Sequence, residues 1–395
     1  MDRQSKSFIL SINCGSSSLK FKLFSSRSLK MELEGHIDHI GNLKSNFQIA
    51  NHEGNFLINS LAPVQSVEFA VNELITWLKH NIKKYPLAAI GHRLIQGGPE
   101  HRAPEIINPE LLAILKQQIY LAPNHLPDEI NAISAFKAAF KKIVQVACYD
   151  TLFHRNMPAC TKYYPLPAEY IDKGLIKYGF HGLSYEYVMK KLGSKISTTK
   201  RRKIIIAHLG NGASMVAVKN GIGIETTMGI SPIGGLVMGT RSGDLDPGVL
   251  LFLLKEGHLT PDELDELLSK HSGLKAIGGT NDVQELLLNE TKCPKAKLAL
   301  SVFCYTARKY IGALAAAMGG LDMLIFTGGI GENSAIIRDR ICEDMDFFGI
   351  AIHQQSNQTS REIISPLSSK VQIRVMPTNE EWMIAHHTRN FIENI

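Results

Sequence analysis

Twice in this 395-residue chain a strand of apolar and β-branched residues runs into a turn of small and polar residues and returns as a second strand. The first copy is FILSINCGSSSLKFKLF at 8–24, and the second is KIIIAHLGNGASMVAVKNGIGIET at 203–226. Setting Gly15 on Gly212 aligns them at an offset of 197 residues, close to half the chain. Self-similarity on that scale suggests two copies of one α/β fold, although the matched run is short.

Periodicity supplies the other elements. In the first half, MELEGHI (31–37) and the alternating FQIA and FLIN segments extend an antiparallel run with turns at Gly41 and Gly54. Helical spacing of Val67, Phe69, Val71, Leu74, Ile75 and Leu78 follows, with Ser66 as its cap. A buried strand at 87–95, helical patterns at 108–120 and 128–142, and an apolar strand at 143–149 complete this half. Beyond the second hairpin come helices near 246–256 and 260–271 and a long one at 295–318. The strand 323–327, the turn 328–334 with a helix from about 335, the strand 370–376 and a final helix over about 379–393 close the chain. Thr378 or Asn379 caps that last helix, with Glu380 and Glu381 in its first turn.

Composition narrows the function class. Hydrophobic residues are 44% and charged residues 20%, which fits a globular protein and not a disordered one. The formal charge of +6 is scattered: it suits small anionic substrates but is too dilute for a nucleic-acid partner. The densest basic run, Lys200–Lys203, reads as a solvated loop before a strand. Six cysteines without a CxxC pair or zinc spacing point to a reducing compartment. No apolar run approaches the ~20 residues of a membrane helix, and no signal-peptide core is visible. The expectation is a cytoplasmic protein with no membrane partner.

Three small-residue turns after strands are the candidate sites of chemistry, because only small residues let phosphate oxygens approach backbone N–H groups closely. In NCGSSSLK, Asn13 offers an amide oxygen, Ser16 and Ser18 hydroxyls, and Lys20 a charge; the alternative is an ordinary polar β-turn. It is not a Walker A loop, which leads into a helix. In HLGNGAS, His208, Asn211 and Gly212 suit phosphate or ribose, unless His208 is a satisfied core histidine. In GGIGEN (328–333) a strand runs into a helix N-terminus, a place that favours an anion, but the spacing is not the dinucleotide GxGxxG. Arg93 and Arg241 suit carboxylate or phosphoryl oxygens, or else structural ion pairs. Asp150 and His181 are each ambiguous alone, since an Asp at a strand end often caps a turn.

Assembled, these residues resemble the acetate kinase family of short-chain acyl kinases, nearly end to end. NCGSSSLKFK, GHR and GG at 91–98, LAP with His125, YDTLFH, YGFHG, AHLGNGAS, MGTRSGDLDP, FTGGIGENS and PTNEE stand in family order. The resemblance implies a duplicated ribonuclease-H-like, actin-like ATPase fold, with a nucleotide cleft between two domains. It sets the domains at 1–151 plus 380–395 and at 152–379. It implies reversible phosphoryl transfer from ATP to acetate, giving ADP and acetyl phosphate, with Mg2+ (Mn2+ as the alternative ion) and a homodimer.

Residue by residue, the resemblance makes Asn13 and Glu380 magnesium-site positions, and Ser16, Ser18 and Lys20 the first phosphate hairpin. His208, Leu209, Gly210, Asn211 and Gly212 match one nucleotide loop; Asp282, Val283 and Gln284 a second; Gly329, Ile330, Gly331, Glu332 and Asn333 a third. Arg93 matches the substrate-carboxylate position, and Ile95, Asn124, Phe180 and Pro232 the acyl pocket. His125, His181 and Arg241 match groups around the phosphoryl, and Asp150 the catalytic aspartate. A carboxylate acceptor is already ionised at pH 7, so Asp150 reads as an outer-shell magnesium partner or an orienter of Arg93 and His181, not as a base.

Four positions depart from the family pattern. Gln96 fills a slot usually His, Gln284 one usually Arg, Asn124 replaces Leu and Ile95 replaces Val. They leave propionate or another short-chain acid as the competing substrate, and a non-catalytic nucleotide-binding regulator as the reading from another class. Hinges are expected near Asp150–Phe153 and before the last helix, with closure excluding water.

Overall fold

The structure is a computed structural model that describes residues 7–15, 17–42, 44–195 and 202–394. The chain divides into two units, Met1–Leu152 with Asn379–Ile395, and Phe153–Thr378. Ser16 and the basic residues Lys200 and Arg201 lie outside the described residues.

The first unit is built on an eight-stranded sheet ordered β5-β4-β3-β2-β1-β6-β8-β7. Its strands are β1 (Phe8–Cys14), β2 (Ser18–Ser25), β3 (Met31–Asp38), β4 (Ser45–Asn51), β5 (Phe56–Ala62), β6 (Leu87–Leu94), β7 (Glu105–Ile106) and β8 (Val144–Tyr149). β1 pairs antiparallel with β2 and parallel with β6, and β6 pairs parallel with β8. The second unit holds β9 (Lys203–Leu209), β10 (Ala213–Lys219), β11 (Ile222–Thr226), β12 (Met323–Thr327) and β13 (Gln372–Val375), ordered β11-β10-β9-β12-β13. There β9 pairs antiparallel with β10 and parallel with β12, which pairs parallel with β13. The order β3-β2-β1-β6-β8 is thus reproduced strand for strand. The duplication is a property of the topology, where the sequence shows it only around Gly15 and Gly212.

Burial explains the strand compositions. β1 and β12 are apolar at nearly every position because helices cover both sheet faces, whereas β5, at the sheet edge, is exposed along most of its length. The helix Val67–Asn81 is capped by Ser66, whose Oγ accepts from Phe69 N at 3.1 Å. It buries Val67, Ala70, Val71, Leu74, Ile75 and Leu78, each larger side chain contributing about 1.5–3 kcal/mol.

Several expected boundaries move. The 128–142 pattern forms helix Leu126–Ala139, with Pro127 in its first turn, where a missing N–H costs nothing. The turn GGIGEN is itself a short helix, Gly328–Asn333, entered through Gly328 at φ +77°. The final helix is Glu380–Ile392, and its cap is Asn379, whose side chain accepts from Trp382 N at 3.0 Å. A helix over Gly182–Lys195 escaped the sequence reading, although Tyr185, Val188, Met189 and Leu192 keep helical spacing; its buried face is Leu183, Tyr185, Val188 and Leu192.

The C-terminal helix returns to the first unit and packs on β1 and β6. The approach is close at Gly91, where an added Cβ would stand 2.2 Å from Thr388 Oγ1 and 2.6 Å from Ile384 Cγ2. Gly91→Ala is therefore expected to push this helix off β6 and lower stability by about 1–3 kcal/mol in urea melts. An unchanged melt would show that the helix does not need that contact.

Candidate functional site

In the first unit the elements bring together residues far apart in sequence. Asn13, at the end of β1, lies directly across from Lys20 in the β1–β2 register, and Gly15 N donates to Ser18 O at 2.8 Å to close the turn. Asn13 Nδ2 donates to Glu380 Oε2 at 3.2 Å. Glu380 is the first residue of the C-terminal helix, where the exposed N–H groups of the first turn favour its charge. Lys20 is exposed, and its charge favours ionised Glu380.

Arg93, near the end of β6, donates from Nη2 to Asp150 Oδ2 at 2.9 Å and from Nη1 to Glu129 Oε1 at 3.5 Å. Both carboxyls are 1% exposed. Glu129 also accepts from Ile95 N at 2.9 Å, which fixes the backbone of a predicted pocket residue. Burial works to lower the pKa of Arg93, and the carboxylates of Asp150, Glu129 and Glu380 together raise it above its usual range. Burial pushes Glu129 up to about 7, against the pull of Arg93. Burial and the nearby Asp150 push Glu380 up to about 7 as well. One guanidinium thus serves an acid-rich cluster.

Asn124 and His125 directly precede the helix that carries Glu129, and His125 O accepts from Glu129 N at 3.2 Å. Gln96 is fully buried, and its Oε1 accepts from Gly97 N and Gly98 N, both at 2.9 Å, so it holds the turn after Ile95. His92 of the GHR motif is a core residue paired with Gln145 at 2.9 Å, and burial pushes it down to about 4.

In the second unit, a loop pinned by Tyr178 N and Gly179 N to Gly229 O leads through Phe180 to His181 at φ +58°. His181 Nδ1 is 2.8 Å from Ser214 Oγ, and its ring stacks on His208 at 4.3 Å between centroids. His208 Nδ1 is 2.8 Å from Ser184 Oγ. Arg241 Nη1 donates to Pro232 O at 3.2 Å. A Cβ on Gly212 would lie 3.4 Å from His181 Nε2 and 3.5 Å from Arg241 Nη1, so these three predicted residues converge.

A cavity of about 710 Å³ joins Asn211, Asn281–Gln284, and Gly329, Ile330 and Asn333–Ile336, a volume in the range of ligand pockets. It unites parts of all three predicted nucleotide loops. Leu209 and Gly331 are buried beneath, Gly210 N bonds Gly212 O, and Asp282 caps the helix that begins with Val283 and Gln284. Glu332 braces the loop from within. Its Oε1 accepts from Gly328 N at 2.8 Å, Thr378 N at 3.1 Å and Thr327 Oγ1 at 3.3 Å, so it shapes its own loop.

Sequence reasoning missed four contributors. Glu129 is an acid on the buried stripe of Leu126, Ile133 and Phe136, and that misplacement is its signal. Ser184 and Ser214 are small hydroxyls inside the YGFHGLS and GNGAS motifs. Arg338 is fully buried under the Gly328–Asn333 helix, where Nη1 donates to the carbonyls of Gly331 and Glu332, both at 2.9 Å. Nε and Nη2 donate to Asn357 Oδ1 and O at 2.8 and 2.7 Å. Burial lowers Arg338 to about 10, which keeps it charged at neutral pH.

The model of the Acetokinase family matches residues 8–386. An acetate kinase from Nitrobacter hamburgensis is 40% identical over 391 residues, covering 97% of this chain and 96% of that protein. The crystal structure of Porphyromonas gingivalis acetate kinase is 36% identical with a TM-score of 0.86, over 98% of this chain and 100% of that one. A propionate kinase structure from Francisella tularensis is also 36% identical, with a TM-score of 0.91 over 97% and 99%.

The raised carboxyls carry a pH signature. Above pH ~4.5 the unfolded chain has released protons that Glu129 and Glu380 retain when folded, so between about 4.5 and 7 these two groups make stability fall as pH rises, levelling beyond 7. Glu129→Gln removes one of them. Urea melts from pH 5 to 8 should show a shallower decline in the variant; equal slopes would refute the assignment.

Proposed function

This chain belongs to the acetokinase family, and from that premise we propose that it transfers the γ-phosphoryl group of ATP reversibly to acetate, giving acetyl phosphate and ADP. Members of this family are phosphotransferases with a carboxylate acceptor. The observation that carries the reading is Arg93, a partly exposed cation whose Nη2 is fixed by the buried Asp150 at 2.9 Å, two residues before Ile95. A mere nucleotide-binding regulator has no use for such an acceptor-side guanidinium.

The chemistry follows from charge. The acceptor carboxylate is already a nucleophile, so positioning and neutralisation are what remain to be supplied. In this reading Arg93 takes the acceptor carboxylate, with Ile95, Asn124, Phe180 and Pro232 as acyl-pocket residues. His125, His181 and Arg241 donate to phosphoryl oxygens, and Lys20, Ser16 and Ser18 hold the phosphate chain. The cavity at Asn211, Asp282–Gln284, Gly329, Ile330 and Asn333 takes the nucleoside.

Asn13 and Glu380 would hold Mg2+, with Asp150 in its outer shell. Among the described residues no three His, Cys, Asp or Glu side chains form a complete ligand set, which suits an ion that keeps waters and phosphate oxygens as ligands. The bound ion would neutralise phosphate charge; Mn2+ offers the same hard-oxygen chemistry.

Propionate is the second reading, supported by the Francisella tularensis neighbour. A methylene in an apolar pocket is worth only ~1–3 kcal/mol, so Ile95 tunes that choice without forbidding it. The cysteines at 14, 148, 160, 293, 304 and 342 are all free thiols, which supports a cytoplasmic location, and no described helix is long and apolar enough to cross a membrane. A homodimer is supported by helix Pro247–Lys255, which buries none of its residues while exposing Leu251 at 54% and Phe252 at 61%.

Hydroxylamine trapping with Mg-ATP should give hydroxamate most strongly with acetate, and little ADP without an acid. A propionate optimum would move the substrate assignment, and no hydroxamate from any acid would refute the kinase. Asp150→Asn should lower turnover at saturating Mg2+; near-full turnover would remove its metal role. In sedimentation velocity the protein should run as a dimer and Phe252→Glu as a monomer, an outcome excluded if the unaltered chain is already monomeric.

A further inference from the structure

We propose that Tyr185 and Ser214 are positioning residues that decide which ring nitrogen of His181 carries its proton, so that neutral His181 presents an Nε2–H donor. The inference rests on the reading above that His181 faces the transferred phosphoryl group.

The helix Gly182–Lys195 begins directly after His181, which places Tyr185 four residues on, one turn along the same face. Both side chains meet one atom. Ser214 Oγ lies 2.8 Å from His181 Nδ1 and is also bonded to the Tyr185 hydroxyl. Ser214 and Tyr185 are each 0% exposed, so bulk water does not reach this junction.

Proton counting then orders the chain. A phenol, with pKa near 10, is a better donor than an aliphatic hydroxyl, and its lone pair is a poorer acceptor because the ring withdraws it. Tyr185 therefore donates to Ser214. The single Ser214 proton is left to point at His181 Nδ1, which must accept as a bare nitrogen, and the imidazole proton resides on Nε2. Successive bonds in one chain polarise and strengthen each other.

Neutrality is what makes the tautomer matter. His181 stacks on His208 at 4.3 Å, and its Nε2 shares the Gly212 position with the Arg241 guanidinium. Two neighbouring cations, or one cation and a second imidazolium, repel at such distances. A neutral imidazole donates to a phosphoryl oxygen only if its proton is on the outward nitrogen. His208 has a hydroxyl at the same ring atom, its Nδ1 meeting Ser184 Oγ at 2.8 Å.

The test reads the tautomer directly. Protein labelled with [15N]histidine is examined at pH 8 by long-range proton–nitrogen correlation, with His181 assigned through His181→Gln. The expected pattern is Nε2–H in the unaltered protein and a shift toward Nδ1–H in Ser214→Ala. In Tyr185→Phe, which keeps the ring in the core, the shift is smaller. Ser214→Ala should lower kcat about tenfold, less than the ~10²–10³ for losing a donor outright, with both KM values within twofold, and Ser214→Thr should restore it. An Nδ1–H form in the unaltered protein, or the same tautomer in all variants, would overturn the proposal. Should His181→Gln retain full turnover, the assignment of His181 to the phosphoryl group would fall while the tautomer result stood.

Discussion

A single guanidinium holds the first unit's functional end in shape. Arg93 draws Asp150 and Glu129 to the end of β6, and Glu129 in turn fixes the backbone of Ile95. Each carboxyl comes from a different element, so the ion cluster ties β6, the residue after β8 and the helix Leu126–Ala139 to one point. Buried ion pairs add little net stability, because desolvation offsets attraction. What they supply is orientation: an uncompensated partner is so costly that the arrangement has few alternatives.

The same strand–turn–strand device carries different side chains in the two units. At β1–β2 the turn is flanked by Asn13 and Lys20, an amide opposite a cation. At β9–β10 the equivalent pair is His208 and Ser214, and the turn lies against His181 and Arg241. Backbone topology is repeated while the side chains at the turn diverge, as expected when function resides in a site and not in the fold that carries it.

How much of this was legible depended on whether a residue's role is local. Strands, the two hairpins and the Ser66 cap follow from period and cap chemistry, and both sheets emerge from them. The helix Gly182–Lys195 was legible too, since Tyr185, Val188, Met189 and Leu192 recur at helical spacing, but the glycine-flanked motif before it drew the reading toward a loop. Motif order pointed to the acetokinase family, which the comparisons bear out, and to residues such as His181, Arg241 and Gly212 that the second unit brings together. Glu129, Ser214 and Arg338 act through partners 34 to 36, 29 to 33 and 6 to 22 positions away respectively, and no hydrophobic period announces such pairings. Glu332, matched by motif to a nucleotide loop, has a carboxylate that braces that loop from within.

Arg338 gives the Gly328–Asn333 loop one more property. Its hydrogen bonds go to the carbonyls of Gly331, Glu332 and Asn357, the Asn357 amide and the Ser360 hydroxyl, all neutral groups. These satisfy its donors without cancelling its charge. A full positive charge is thereby fixed inside the protein beneath the loop, where dissolved ions cannot gather around it. Mobile salt weakens the attraction of a surface cation such as Lys20 within about 10 Å at 0.1 M. The field from beneath the loop is damped far less, so part of its pull on an anion persists at ionic strengths that silence the surface.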